Sequence, residues 1–428
     1  MRKIHLRCLT LYLLLWVGRR ATAQEPWTWE QVRLRFEQNN PTLLADRLSI
    51  DESRAQEITA YLRPNPTFTL SADGTQLAPH RTADQKDYWR PFAGTFESPS
   101  ISYLHERRHK RELRLESAKK GTLIAESSHA DLERTLFFNL RSAFVSTLEA
   151  KVVLQLAKDN LAYYDHVLDI SRTRFSAGDI AQIDLDRLEL QRVQYESDLQ
   201  AAEENLENAK IQLLTLLNDR APIERVDVTG PYDFIDQLTP RDEFRKMALD
   251  TRPDLKAAVE AVDKAQTDHK LAIANGSTDP TLSAWYTHNS STNNPFGVNT
   301  VGVSVSVPLR IFDRNQGEKL RTQLDIRRNE RLRDATEAQV YSDVDSSYAT
   351  VDSNLILLRP YKAKYLQQSV RVRDTITFSY QHGGASLLDF LNAQAEYRTV
   401  QLAYVNLVGS YLTAAAQLNL AVGREVIP

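Results

Sequence analysis

Apolar positions along the chain recur in two rhythms, and each rhythm occurs twice. Behind Tyr195 they fall at Leu199, Ala202, Leu206, Ala209, Leu213 and Leu216. Alternating steps of four and three residues are the seam of a coiled coil. Behind Val400 the same steps give Tyr404, Leu407, Tyr411, Ala414, Leu418 and Ala421, each 205 residues after its counterpart (400 − 195 = 205). Ahead of each seam stands an aromatic-x-x-Gly turn with an Asp six residues beyond the glycine. The first is Phe175-Ser-Ala-Gly178 with Asp184, the second Tyr380-Gln-His-Gly383 with Asp389. The glycines keep the offset (383 − 178 = 205), so the chain is one unit written twice.

The second rhythm has a period of two. In Thr67-Phe-Thr-Leu-Ser71, Phe68 and Leu70 alternate with hydroxyl residues, and Ser100-Ile-Ser-Tyr103 repeats the alternation. A hairpin with strands at about 66–73 and 97–104 follows, joined by a polar loop. Its counterpart has strands at about 280–288 and 299–308. There Leu282, Ala284 and Tyr286 alternate with Ser283, Trp285 and Thr287, and Val301-Gly-Val-Ser-Val-Ser-Val307 sets valine on one face.

Helices fill the rest. Thr28-Trp-Glu-Gln31 has capping-box spacing. Asn40-Pro41 breaks that helix, because a residue before proline avoids the helical region, and a second helix runs to about Tyr61. From His105 to about Phe175 there is no proline, and Leu132, Leu136, Leu140, Phe144, Leu148 and Val152 keep one face apolar. About 70 helical residues would span on the order of 105 Å, which predicts a coiled-coil rod. Gly178 predicts a left-handed cap and a returning helix to about Leu217. Residues 218–239 read as a linker between repeats at 24–217 and 240–428. In the second repeat Pro308 to Gly317 turns the chain, a helix runs from about Glu318 to Phe378, and the last reaches about Val422.

Composition fits long helices with few turns: 14 Gly, 16 Pro and 25% charged residues. Residues 1–23 have the pattern of a cleaved secretory signal, with Arg2, Lys3 and Arg7, an apolar run from Leu9 to Val17, and Ala21-Thr-Ala23. That apolar run falls short of the roughly 20 residues of a membrane helix. Removing its five basic residues takes the net charge from −3 to −8 (48 basic, 56 acidic). Near balance suggests no nucleic-acid partner. The only cysteine, Cys8, falls inside the signal, which excludes disulfides and thiolate chemistry beyond it.

The expected fold is mainly α with a small transmembrane β part. In lipid an open sheet edge leaves unpaired amides at several kcal/mol each. One apolar and one small polar face suit a barrel with lipid outside and water inside. Four strands cannot close one, so chains must share it: two give eight strands and three give twelve. An eight-stranded interior is filled by side chains, whereas twelve leave a pore. A soluble periplasmic coiled-coil adaptor would share the rods but has no use for one-sided valine strands.

The duplicated hairpin and helix pair, the tip turns and Val305-Ser-Val-Pro-Leu-Arg-Ile-Phe-Asp-Arg-Asn-Gln-Gly317 together resemble the TolC family of outer-membrane efflux channels. The last segment is most similar to the CzcC-like, heavy-metal branch. The resemblance implies a homotrimer in the outer membrane, with a 12-stranded β-barrel in lipid and an α-barrel in the periplasm. It implies two partners, a periplasmic adaptor and an inner-membrane pump, with the RND type favoured. The cargo it favours is metal cations, with drugs or other small molecules as the alternative.

It also assigns roles. Phe175, Gly178, Tyr380 and Gly383 would meet the adaptor at the tips. Asp184 and Tyr380 match a polar gate between the helix pairs, and Asp389 matches a carboxylate lining the periplasmic entrance. The arginine usual two residues after the second tip glycine is Ala385 here, and the companion acid is Asn392. A looser lock and a weaker cation-attracting ring follow. Three Asp389 side chains close together would raise one another's pKa and favour cations.

No enzyme constellation stands out and no cofactor is implied. Ser117-Ala-Lys-Lys120 is a Ser-x-x-Lys without companion motifs. His105 and His109 have metal-ligand spacing, but the basic run Glu-Arg-Arg-His-Lys-Arg reads as a solvated helix start, and no metal site is expected. Asp313-Arg-Asn-Gln-Gly317 reads as a capped strand-to-helix turn.

Overall fold

The structure is a computed structural model, described over residues 25–75, 77, 80–81, 87–88, 95–289 and 298–427. The signal segment and most of the 73–97 loop lie outside those residues. Two compact units emerge: one from residues before 47 with 131–252 and 339 onward, the other from 47–130 and 253–338.

The second unit carries the main sheet. Its strands are β1 (Thr67–Asp73), β4 (Phe96–Leu104), β5 (Thr281–Asn289) and β6 (Asn299–Ser306), all antiparallel in the order β1-β4-β5-β6. Short β2 (His80–Arg81) and β3 (Asp87–Tyr88) pair separately. Register aligns Phe68, Ile101, Ala284 and Val303 across all four strands, and Thr67, Ser102, Ser283 and Ser304 beside them. A pleated strand alternates its faces, so one side of the sheet is apolar and the other is hydroxyl-lined. Far from being a core, the apolar side is open: Phe68 is 70% and Val303 80% exposed. Trp285 lies on the hydroxyl side over Gly302, where a Cβ would come within 2.3 Å of its ring.

Two helices flank the sheet in sequence, α2 (Pro41–Tyr61) before it and α3 (Lys110–Ser176) after β4. Helix α6 (Pro253–Asn275) precedes β5, and α7 (Gln316–Pro360) follows β6. Within this unit polar contacts tie them together beside small buried apolar residues such as Val262, Ala265 and Ala272. Ser127 Oγ donates to Glu260 at 2.8 Å, Thr267 Oγ1 to Glu116 at 3.0 Å, and buried Lys110 pairs with Asp279 at 2.5 Å.

The expected helix from His105 begins instead at Lys110. The His105 N–H still donates to Pro280 O at 2.9 Å, beyond the end of β4. Arg108 and His109 then take left-handed φ of 59° and 53°, which a helix cannot include. The two histidines therefore do not share a helix face.

The first unit holds the apolar cores. Helix α1 (Trp29–Asn39) has the expected capping box, with Gln31 N donating to Thr28 Oγ1 and Thr28 N to Gln31 Oε1. Trp27, Val32 and Phe36 pack with Leu140, Phe144 and Leu148 of α3 and with Leu213 and Leu217. Helix α4 (Gln182–Leu216) returns from the first tip, and Tyr195, Ala202, Ala209 and Leu213 of its predicted seam are buried. Helix α5 (Arg241–Thr251) follows the inter-repeat segment, which contains a short 3-10 turn at Ile223–Arg225. Helix α9 (Leu387–Val422) repeats the α4 pattern with Tyr411, Ala414, Leu418 and Ala421 buried.

The helix expected from about Glu318 to Phe378 is not one uniform α-helix. After α7 comes a π turn, Tyr361–Tyr365, and then α8 (Leu366–Gln381). Pro360 has no N–H to donate, and its ring crowds the carbonyl four residues back. No helix among the described residues is long and apolar enough to cross a membrane.

Candidate functional site

The two tips share a backbone motif to the last bond. At the first, Gly178 N donates to Phe175 O at 2.9 Å and Asp179 N to Arg174 O at 2.9 Å. At the second, Gly383 N donates to Tyr380 O at 3.1 Å and Gly384 N to Ser379 O at 2.7 Å. These are Schellman caps, which need a left-handed residue after the helix. Gly178 and Gly383 supply it with φ of 84° and 77°, and both are exposed with open space around them.

The helices that leave the tips begin differently. Ser386 caps α9: its Oγ accepts from Asp389 N at 3.1 Å, while Asp389 Oδ2 accepts from Ser386 N at 3.2 Å and Ser386 Oγ at 2.7 Å. Hydrogen bonds to the charged form hold the exposed Asp389 carboxyl below its usual range. In the first copy the cap is Ala181, which has no side-chain oxygen. Asp184 stands where Asp389 does, in the first turn, yet its carboxylate makes no hydrogen bond or ion pair among the described residues. The helix dipole still favours its charge.

Behind the tips lies an aromatic core. Tyr380, 5% exposed, stacks on buried Phe390 with centroids 5.0 Å apart, and Tyr164 stacks on Tyr195 at 4.6 Å. The Tyr164 hydroxyl donates to Leu188 O at 3.0 Å. Burial pushes the Tyr164 phenol up. Burial likewise raises Tyr380, with nearby Asp184 adding to the shift and Arg174 opposing it. The Tyr380 hydroxyl is buried without a well-formed hydrogen bond, and the hydroxyl of neighbouring Ser171 donates elsewhere, to Val167 O at 2.9 Å.

The two helix pairs are tied by three arginines. Arg174 Nη1 donates to Tyr380 O at 2.9 Å, with its guanidinium 5.4 Å from the ring centre. Arg398 pairs with Asp198 at 2.8 Å, and Arg373 lies 4.5 Å from the Tyr163 ring centre. Ala385, which stands where the resemblance would place an arginine, packs half-buried against the tip core. The arginine that reaches the Tyr380 carbonyl, Arg174, comes from the other copy.

Each singled-out residue thus has a place. Gly178, Gly383 and Asp389 are exposed, Phe175 and Asp184 are half-buried, and Tyr380 is buried. The Phe175 ring packs on the tip core, so Tyr380 and Phe175 offer a partner little of their rings. Three apolar side chains that the motifs did not flag do face out near the tips: Phe378, Leu388 and Ile183. Arg174, Tyr164 and Phe390 were also missed; an arginine beside the tip aromatic was the available signal for the first.

The remaining candidates are occupied structurally. Ser117 bonds Asp268, and Lys120 Nζ donates to Thr267 Oγ1 at 2.8 Å. In the turn before α7, Asp313 Oδ1 accepts from Asn315 N at 2.8 Å, and Asn315 Nδ2 donates to Ala272 O at 2.8 Å. No group of three or more possible metal ligands occurs among the described residues.

Paired helix tips in one unit and, in the other, a four-stranded sheet with one exposed apolar face suit a protein whose sheet meets lipid. The model of the outer membrane efflux protein family matches residues 35–219 and 245–424, and the chain belongs to that family, whose members are TolC-type channels and not enzymes. It is 22% identical to the cobalt-zinc-cadmium resistance protein CzcC of Cupriavidus metallidurans, over 90% of this chain and 87% of that protein. It is 24% identical to the pyoverdine export outer membrane protein OpmQ of Pseudomonas aeruginosa, over 73% of this chain and 66% of that protein. Among solved structures it is similar in fold to CusC, with a TM-score of 0.77 at 16% identity, over 92% of each chain.

Proposed function

We propose that three copies of this outer-membrane efflux channel join their sheets into one twelve-stranded barrel and act as the exit duct of a tripartite system. One observation carries this reading: β1 and β6 bound the sheet on either side, and its apolar face is open. Pairing β6 of one copy with β1 of the next removes both unpaired edges and turns the apolar face to lipid. The hydroxyl face then lines water.

In this reading the tips meet a periplasmic adaptor, through Gly178, Gly383 and the half-buried Phe175, with an inner-membrane pump of RND type beyond it. Asp184, Tyr380 and Asp389 form the gate at the periplasmic entrance, and Arg174 holds it in place of the missing arginine at position 385. The cargo is metal cations, on the strength of the similarity to CzcC across nine-tenths of the chain. The similarity to OpmQ supports a second reading, export of a small organic molecule.

Membrane fractionation tests the duct: a heat-labile oligomer is expected in the outer membrane, and recovery as a soluble monomer would overturn it. Cells lacking their own duct, given the matching pump and adaptor, test the cargo. Restored tolerance to zinc, cobalt or cadmium is expected; restored siderophore export alone would favour the second reading.

A further inference from the structure

The second helix pair contains a joint that the first lacks. Pro360 ends α7, and the Leu366 N–H donates five residues back to Tyr361 O, the π-turn bond. The equivalent stretch of the first copy, 205 residues earlier, starts at Gln155 and lies inside unbroken α3. A π turn widens the helix by one residue and leaves the ladder weaker, so it is a natural place to bend.

A strap from the inter-repeat segment grips this joint. Asp236 Oδ1 meets Arg359 Nε at 2.5 Å, just before the proline, and Asp233 Oδ2 meets Lys362 Nζ at 2.5 Å, within the turn. The Phe234 ring lies 4.9 Å from the same ammonium and meets Tyr411 of α9 edge-on at 6.1 Å. Tyr232 donates its hydroxyl to Val405 O at 2.9 Å, so the strap is anchored to α9 on the other side. In the first copy the counterparts of Arg359 and Lys362 are Leu154 and Ala157, which offer a strap no charge.

We propose that residues 360–365 are a hinge that lets α8, with the second tip, bend relative to α7, and that the 232–236 strap is its brake. The brake is adjustable because both ion pairs are about half exposed and individually weak. Bending at this point would carry Tyr380 away from Arg174 while the first pair stays straight. That consequence rests on the gate reading; the hinge itself does not.

Hydrogen–deuterium exchange on the full-length protein in detergent separates the two. Asp233→Asn with Asp236→Asn should speed exchange across 361–381 by about two- to fivefold, the effect of losing two exposed pairs, and leave 316–355 unchanged. Pro360→Ala should restore the helical ladder and slow exchange at 361–366. Wild-type exchange across 361–381 in both variants, or equal acceleration along 316–381, would overturn the hinge. Single-channel conductance, measured in parallel, reports on the gate: altered exchange with unchanged conductance keeps the hinge and removes its link to gating.

Discussion

The two tips are the same turn with different surroundings, and the difference lies in what caps and precedes each turn. Both close with a Schellman cap on a left-handed glycine. Only the second has a capped return helix, through Ser386 and Asp389; the first begins at Ala181 and leaves Asp184 unengaged. Only the second lies beyond a π turn, and its tyrosine is buried while Phe175 is half exposed. What the copies share is what any helix hairpin needs to reverse. What they do not share leaves the Asp184 carboxylate at the first tip without a cap partner and sets the second tip beyond a π turn.

The largest test of that division is Phe390→Ala. Phe390 is fully buried against Tyr380 and Tyr164, and removing such a ring costs about 3–5 kcal/mol. Chemical denaturation should show that loss. A cost below about 1 kcal/mol would mean the tip core is not tight enough to hold the second tip. Next come Gly178→Ala and Gly383→Ala. A side chain forced into the left-handed region costs roughly 1–2 kcal/mol, and the shared cap requires the two losses to match. A large difference would break the equivalence of the turns.

The periodicity made the rods and hairpins legible. A two-residue period shows directly as valine and serine alternation, and the seams repeat for seven positions in each copy. Glycine at the tips was legible for the same reason, since only backbone geometry demands it. The cross-ties were not. Arg174 reaches a main-chain carbonyl 206 residues away (380 − 174 = 206), and a carbonyl leaves no mark in a sequence. Pro360 was readable, because a proline inside a helical pattern breaks a hydrogen bond, but a proline alone does not show that a π turn follows it. The buried state of Tyr380 depends on Phe390 and Tyr164, whose convergence only the fold supplies.

Smaller effects sharpen the comparison. Ser386→Ala should cost about 1 kcal/mol, the worth of a helix cap, while Ala181→Ser should gain up to a similar amount by giving Asp184 a capping partner. If Ala181→Ser also lowers cation conductance, the free Asp184 carboxylate matters to the duct. The smallest effect is in pH. The Asp389 carboxyl is depressed in the folded chain, so its contribution is full above the unfolded value of about 3.9. It is lost as pH falls through the lower folded value. Asp389→Asn should flatten the stability profile below about pH 4, and an unchanged slope there would remove the capping box from the account.

The most direct test is the conductance of Arg174→Gln in a planar bilayer, beside Tyr380→Phe. Arg174 is bound to the Tyr380 carbonyl, which phenylalanine keeps. If the tie between helix pairs holds the periplasmic end closed, Arg174→Gln should raise single-channel conductance severalfold and Tyr380→Phe should change it far less. Wild-type conductance from Arg174→Gln would contradict the account.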